Sequence, residues 1–338
     1  MKLKKKHLHW MKNLDSFISK MLLYIPFPSI SSDRSTKDIL LVRPGGLGDL
    51  VLLTHSLRSF TSDLSHFTFL IETRSEEWAK FLKLDYVCYD RNPLKLLFTK
   101  KFHTVVCTEQ FFGLAGHFSR FLKAKHGQLI GFDTTKSSRT FTKTVKFVED
   151  LHESLNFTNL LATFLKQDTN IKVNLSTNVD VGSKYEVIVL GGFESESRCL
   201  NLEDWLYLIN KYSKRESLFK IVAAPNDVPF ARALALKINC EEISTTFQDA
   251  IEFVARANSI LTIDSGFVHV SSYFGVPAKV LFTSGNPNKW APLSVGSTIL
   301  SNDFGCQPCA KFGQVPQCSF SFRCKSNLST LKLLKVIE

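Results

Sequence analysis

From residue 38 onward, short apolar runs alternate with stretches whose apolar positions recur every three to four residues. The first run, 38–43, leads into a glycine-rich turn at 44–48 and an amphipathic stretch at 49–60, the order strand, turn, helix. Further strands are predicted at 67–73, 86–89, 102–108 and 128–132, and helices at 75–83, 114–125 and 150–166. The segment 167–184 lacks sustained periodicity, is rich in Asn, Ser, Thr and Asp, and reads as a linker. A second series follows, with strands at 185–190, 218–223, 260–263 and 278–282 and helices at 202–214, 229–237 and 247–257. Such alternation predicts parallel sheets covered on both faces, with ligands bound at the carboxyl edges of the strands. Two such sheets in one chain suggest two Rossmann-like α/β domains facing each other across a cleft.

Length agrees with that division, because 338 residues exceed what one hydrophobic core usually organises and suit two domains of roughly 150 residues. The expected boundaries are an extension at 1–37, a first domain at 38–166, the linker at 167–184, a second domain at 185–325 and a C-terminal helix at 326–338. Hydrophobic residues make up 44% and charged residues 22%, a globular balance. No uncharged apolar run reaches the roughly 18 residues that would mark a membrane span.

The net charge of +11 is unevenly spread, with a net +6 carried by residues 1–37. In that segment Leu14, Phe17, Ile18, Met21, Leu22 and Ile25 recur with the spacing of one apolar helix face. A basic helix of this kind fits an anionic lipid surface, and the same stripe fits the protein's own core. Lys20 within the stripe, Pro26 and Pro28 after it, and no small-residue cleavage site argue against a secretory signal. The 29 Phe are scattered rather than interleaved with a basic patch, which argues against nucleic acid as a partner. Cys88, Cys107, Cys199 and Cys240 stand singly and read as buried free thiols; with no export signal the expected location is the cytoplasm, where a disulfide framework is not expected.

Two turns carry candidate chemistry. In Arg43-Pro-Gly-Gly-Leu-Gly-Asp49, Gly46 and Gly48 allow a tight turn and a close approach of backbone to ligand, and Asp49 falls at the start of a helix. The turn is neither a dinucleotide fingerprint nor a P-loop, and a helix cap would account for Asp49 equally well. In Leu261-Thr-Ile-Asp-Ser-Gly-Phe-Val-His-Val270, Ser265 and Gly266 open a helix whose N–H groups suit a phosphate, with Asp264 before them and His269 on the first turn.

With these turns, the chain resembles glycosyltransferase family 9, the lipopolysaccharide heptosyltransferases, over most of residues 38–326. The resemblance also includes Arg198 seven residues before Trp205, Ala224-Pro225-Asn-Asp227, and Gly285-Asn-Pro-x-Lys-Trp-Ala-Pro292. It implies a GT-B-type α/β fold, with the acceptor bound by the N-terminal domain and a nucleotide-sugar by the C-terminal one. It implies inverting sugar transfer without a required metal, from an ADP-heptose-like donor to a lipopolysaccharide core or related glycan, at the cytoplasmic membrane face. Asp49 takes the family's general-base position; Arg198, Asp227, Asp264, Ser265, Gly266 and His269 take donor-site positions. The chemistry suits these residue types. A hydroxyl attacking an anomeric carbon must lose a proton, and a departing diphosphate gains charge that Arg198 or Lys289 would stabilise. Alternatives are a catalytically silent sugar-nucleotide or glycan-binding protein and another GT-B-type enzyme such as a sugar-nucleotide epimerase.

A last cluster, Cys306, Cys309, Cys318 and Cys324, has the thiol density of a knuckle holding structural zinc or iron, or of a group of reduced thiols.

Overall fold

A computed structural model describes residues 14–24, 39–91, 101–165, 185–191, 196–213, 217–240, 242–302, 304–310, 318–326 and 328–338. The chain divides into two compact units, Met1–Lys172 and Val173–Glu338. The predicted linker 167–184 lies outside the described residues, as does most of the extension 1–37.

The first unit opens with a helix, α1, over residues 14–23. Its sheet has the order β3-β2-β1-β4-β5-β6, every pair parallel. The strands are β1 (Ile39–Arg43), β2 (Phe67–Ile71), β3 (Asp85–Cys88), β4 (Phe102–Cys107), β5 (Lys123–Phe132) and β6 (Lys143–Val145). The chain builds outward from β1 to β3 and then returns to β1's other side with β4, so the order reverses between β1 and β4. Helices α2 (Leu47–Arg58), α3 (Glu76–Phe81), α4 (Gly113–Leu122) and α5 (Glu153–Leu165) connect the strands. In α2 every residue from Leu50 to Leu57 is buried, the polar Thr54, His55 and Ser56 among them, so the helix is enclosed on all sides instead of on one face.

The second unit carries a seven-stranded sheet, order β13-β12-β11-β10-β7-β8-β9, parallel except for the β12–β13 pair. Its strands are β7 (Tyr185–Val189), β8 (Leu218–Val222), β9 (Glu242–Ser244), β10 (Ser259–Ile263), β11 (Ala278–Phe282), β12 (Thr298–Ser301) and β13 (Lys332–Val336). Here the order reverses between β7 and β10. Helices α6 (Leu202–Tyr212), α7 (Val228–Ile238), α8 (Phe247–Ala255), α9 (Phe267–Tyr273), α10 (Pro287–Trp290) and α11 (Arg323–Ser326) complete the unit. Trp205 and Leu208 of α6 and Leu234 of α7 pack on Ile188, Ile221 and Leu261 of the sheet.

Three expectations are corrected. The predicted C-terminal helix at 326–338 is replaced by a short helical turn at Leu328–Thr330 and the strand β13; Leu331, Leu333 and Leu334 suit either period, and antiparallel pairing with β12 decides for the strand. The predicted helix 114–125 ends at Leu122, because β5 takes over at Lys123 alongside β4. The helix predicted from Asp49 begins two residues earlier, at Leu47, with Gly46 as its N-cap.

His55, on the buried α2, gives this fold a pH response. Burial, with the nearby charges of Arg58 and His152, pushes its imidazole down to about 4. Between pH of about 6.5 and about 4 the unfolded chain accepts this proton and the folded chain does not, so acidification favours unfolding by about 3 kcal/mol over that window. Urea denaturation as a function of pH should show this loss, and His55→Asn should remove that component of the slope.

Candidate functional site

The two reversal points are the places where crevices form in open parallel sheets, because neighbouring connections leave the carboxyl edge in opposite directions. In the first unit, Arg43 ends β1 and is 5% exposed. Its Nη1 donates to the Thr108 carbonyl at 3.0 Å and to Gln110 Oε1 at 3.3 Å, both just beyond β4. Its Nη2 donates to Asp49 Oδ1 at 2.6 Å. The other Asp49 oxygen, Oδ2, accepts the Gly46 N–H at 3.0 Å, the backward reach of a capping residue in the first turn of α2. Asp49 is thus held at both oxygens while its side chain keeps 22% exposure. Gly48 lies in the same first turn, and Ser75 Oγ ties the loop down by donating to the Gly45 carbonyl at 3.1 Å.

Three polar groups around Arg43 escaped the sequence reading. Glu109 is buried beside it and accepts the N–H groups of Phe111 at 2.7 Å and Phe112 at 3.2 Å. Burial pushes the Glu109 carboxyl above the usual carboxylate range despite the attraction of Arg43. Glu153, fully buried at the start of α5, accepts Gln110 Nε2 at 2.9 Å. Burial alone would lower the pKa of Arg43, but the charges of Asp49, Glu109 and Glu153 hold it above its ordinary value. The available signal was an acidic residue directly after a predicted buried strand, at the end of 102–108.

In the second unit, Asp264, Ser265 and Gly266 follow β10 and lead into α9, beside the end of β7. Asp264 is buried and forms an ion pair with Arg198, Oδ2 to Nη2 at 3.1 Å. Burial raises the pKa of the Asp264 carboxyl, and Arg198 opposes the rise. A side chain at Gly285 would overlap Asp264 Oδ2, so only glycine lets the loop after β11 lie against this carboxylate. Ser265 Oγ lies 3.3 Å from Thr262 Oγ1. His269 is buried on α9 with its ring 6.0 Å from that of Trp290, and the Lys289 ammonium lies 5.7 Å from the same indole. Arg198, Asp264, Ser265 and Gly266 therefore form one group, with His269 and Lys289 meeting around Trp290. Asp227 stands at the same sheet edge, one strand over, after β8.

Cys306, Cys309, Cys318 and Cys324 line one cavity of about 180 Å³ together with Ser197 and Ser284. None of the four is in a disulfide. The N–H groups of Phe320 and Phe322 donate to Cys318 Sγ at 3.4 and 3.3 Å. Burial raises the pKa of Cys309, and burial together with the other three thiols pushes Cys324 up to about 11, so these two resist ionising. As placed, no three His, Cys, Asp or Glu side chains among the described residues meet the geometry of an ion site. The sulfurs share a cavity, not yet a coordination sphere. Far from Arg198 in sequence, the cluster is its neighbour in space: the Arg198 charge acts on Cys309, and the N–H groups of Cys309 and Ala310 both donate to the Ser284 carbonyl, at 3.1 and 2.8 Å.

Comparison with known proteins bears on all of these groups. The family model described as glycosyltransferase family 9 (heptosyltransferase) matches residues 125–319, more than half of the chain. No curated protein matches the chain by sequence. Among solved structures, a glycosyl transferase family 9 protein from Veillonella parvula is 16% identical, with a TM-score of 0.65, over 89% of this chain and 97% of that one. The E. coli heptosyltransferase WaaC with ADP is 16% identical, with a TM-score of 0.62, over 76% of this chain and 94% of that one. The dodecameric iron-containing heptosyltransferase TibC, from enterotoxigenic E. coli, with ADP-D-beta-D-heptose, is 13% identical, with a TM-score of 0.50, over 86% and 73%. At these identities the likeness establishes the fold, an α/β architecture of GT-B type with a parallel-dominated sheet in each of two units. Through the family model and this shared fold, the chain belongs to glycosyltransferase family 9, the family of the heptosyltransferases.

Proposed function

We propose that the chain is an inverting glycosyltransferase that moves a heptose-like sugar from an ADP-heptose-like donor to a lipopolysaccharide core or related glycan. The observation that carries this reading is the grouping of Arg198 with the Asp264-Ser265-Gly266 turn at the order reversal of the second sheet. There a cation and helix-opening N–H groups are available to a diphosphate. Structures of WaaC with ADP and of TibC with ADP-D-beta-D-heptose support the donor class. Eight free thiols suit the cytoplasm, where they stay reduced.

In this mechanism Asp49 takes the proton of the acceptor hydroxyl as that oxygen bonds to the anomeric carbon. The bond from that carbon to the phosphate oxygen breaks on the opposite side, which inverts the centre, and the electron pair leaves with the diphosphate. Arg43 fixes the carboxylate through one oxygen and Gly46 through the other, leaving further lone pairs to accept the proton. Arg198 and Lys289 meet the growing charge on the leaving group, and His269 and Asp227 complete the donor site. The same two bonds to Asp49 also favour a second reading, in which this residue only caps α2 and anchors Arg43 in a sugar-nucleotide-binding protein without transfer.

By donor type and common cavity the four cysteines suit a zinc or iron ion, which would have to draw the sulfurs closer together, since no three of them among the described residues meet the geometry of an ion site. Such an ion would brace the loop that abuts Arg198; the transfer needs no metal.

Three measurements test these assignments. Asp49→Asn keeps an acceptor for the Gly46 N–H but loses the base, so kcat should fall by about 10²- to 10⁴-fold with donor KM little changed. Retained turnover with a lowered melting temperature would instead establish the capping reading. Arg198→Gln should weaken ADP binding by about 10- to 100-fold in calorimetry, the loss of one charge-assisted contact; unaltered binding would remove this turn from the donor site. Elemental analysis of protein prepared without chelators should find about one zinc or iron per chain, lost in Cys309→Ser together with several degrees of melting temperature. Metal-free wild type would reduce the cluster to structural thiols.

A further inference from the structure

Helix α1 is docked with its polar side inward. Asp15 is buried and accepts the N–H groups of Gly113, from Oδ2 at 2.9 Å, and Leu114, from Oδ1 at 2.9 Å, which caps α4. Ser19, one turn further on, is almost fully buried, and a side chain at Gly113 would overlap its Oγ. Lys136 Nζ donates to Ser16 Oγ at 3.3 Å. These contacts set the rotation of the helix about its axis. Leu14, Phe17, Met21 and Tyr24, spaced on one face, turn to solvent, with Phe17 60%, Met21 57% and Tyr24 86% exposed.

Neither of the two ordinary reasons for an apolar helix stripe accounts for its exposed part, Leu14, Phe17 and Met21. The stripe docks on the unit only at its margin, where Ile18 and Leu22 are half-buried beside Asp15 and Ser19, and no helix among the described residues is long and apolar enough to cross a membrane. Cations gather beside the exposed face. The charges of Lys20 and Arg139 reach Lys136, whose ammonium is held below its ordinary pKa by partial desolvation and then by these neighbours. Three like charges in one place are relieved by an anionic surface. The sequence before the helix adds Lys2, Lys4, Lys5, Lys6 and Lys12 with the same sign.

We infer that the outward face of α1, formed by Leu14, Phe17, Met21 and Tyr24 and flanked by Lys20, Lys136 and Arg139, seats this protein on an anionic lipid bilayer. The apolar side chains enter the boundary between headgroups and acyl chains, and the lysines and arginine meet the lipid phosphates. The anchor is separate from sugar transfer and stands or falls without it. Because Asp15 and Ser19 fasten the helix to α4, the lipid surface orients the whole first unit.

Co-sedimentation of the full chain with vesicles tests this directly. Wild type should bind equimolar phosphatidylglycerol and phosphatidylcholine, bind phosphatidylcholine alone at least about tenfold more weakly, and lose affinity as salt rises. The Phe17→Glu, Met21→Glu double variant should lower binding to the anionic vesicles by more than about tenfold while its melting temperature and ADP affinity stay at wild-type values, since both positions face solvent. Lys20→Glu should weaken binding to anionic vesicles and leave neutral ones unaffected. Wild type that ignores anionic vesicles at low salt, or binds neutral ones equally, overturns the inference. So does a double variant that binds like wild type, or one that breaks up an oligomer in lipid-free solution, which would identify a second copy as the occupant of this face.

Discussion

A buried guanidinium has to be surrounded by oxygen, and Arg43 imposes that requirement on the first unit. Its partners come from the turn after β4 and the first turn of α2, and through Gln110 the network reaches the start of α5. Removing one partner from such a buried charge typically costs about 3–5 kcal/mol, more than most single contacts contribute. The elements that meet at the carboxyl edge of the first sheet are therefore held in one register by electrostatics, while the buried α2 supplies the packing behind them. Asp49 owes its fixed orientation to the same demand.

The second unit solves a related problem with smaller parts. Asp264 is a buried carboxylate whose ionic partner, Arg198, arrives from the segment between β7 and α6. Packing around it leaves no room beyond a hydrogen at residue 285. The cysteine cavity lies against the same segment through Ser197 and Ser284, whose hydroxyls are 3.0 Å apart. Thiol chemistry and the Arg198 cation thus share a wall, and a disturbance of one is felt at the other.

What the sequence disclosed follows from where its patterns were strong. Alternation of short apolar runs with helical stretches identified both sheets, because buried strands such as Ile39–Arg43 and Ser259–Ile263 are predominantly apolar. Three-residue strands, Lys143–Val145 and Glu242–Ser244, were invisible because they are too short to show a period and exist through pairing with neighbours already in place. The turns bearing Asp49 and Asp264 were legible from their glycines. The carboxylates of Glu109 and Glu153 were not, since their significance lies in a cation 66 and 110 residues earlier in the chain. The stripe on α1 was evident, but which way it faces depends on two hydrogen bonds that Asp15 accepts from a helix about a hundred residues away.

The last strand, β13, closes the second sheet with its whole length exposed, including Leu333, Leu334 and Val336. Such an edge offers unpaired backbone donors and acceptors beside apolar side chains, the template on which another chain could add a strand. Lys332 and Lys335 sit within it. Two like chains approaching edge to edge would bring these ammonium groups together, so the lysines act as gatekeepers of solubility. Replacing both with valine would leave the fold of one molecule intact and invite fibrous assembly of many.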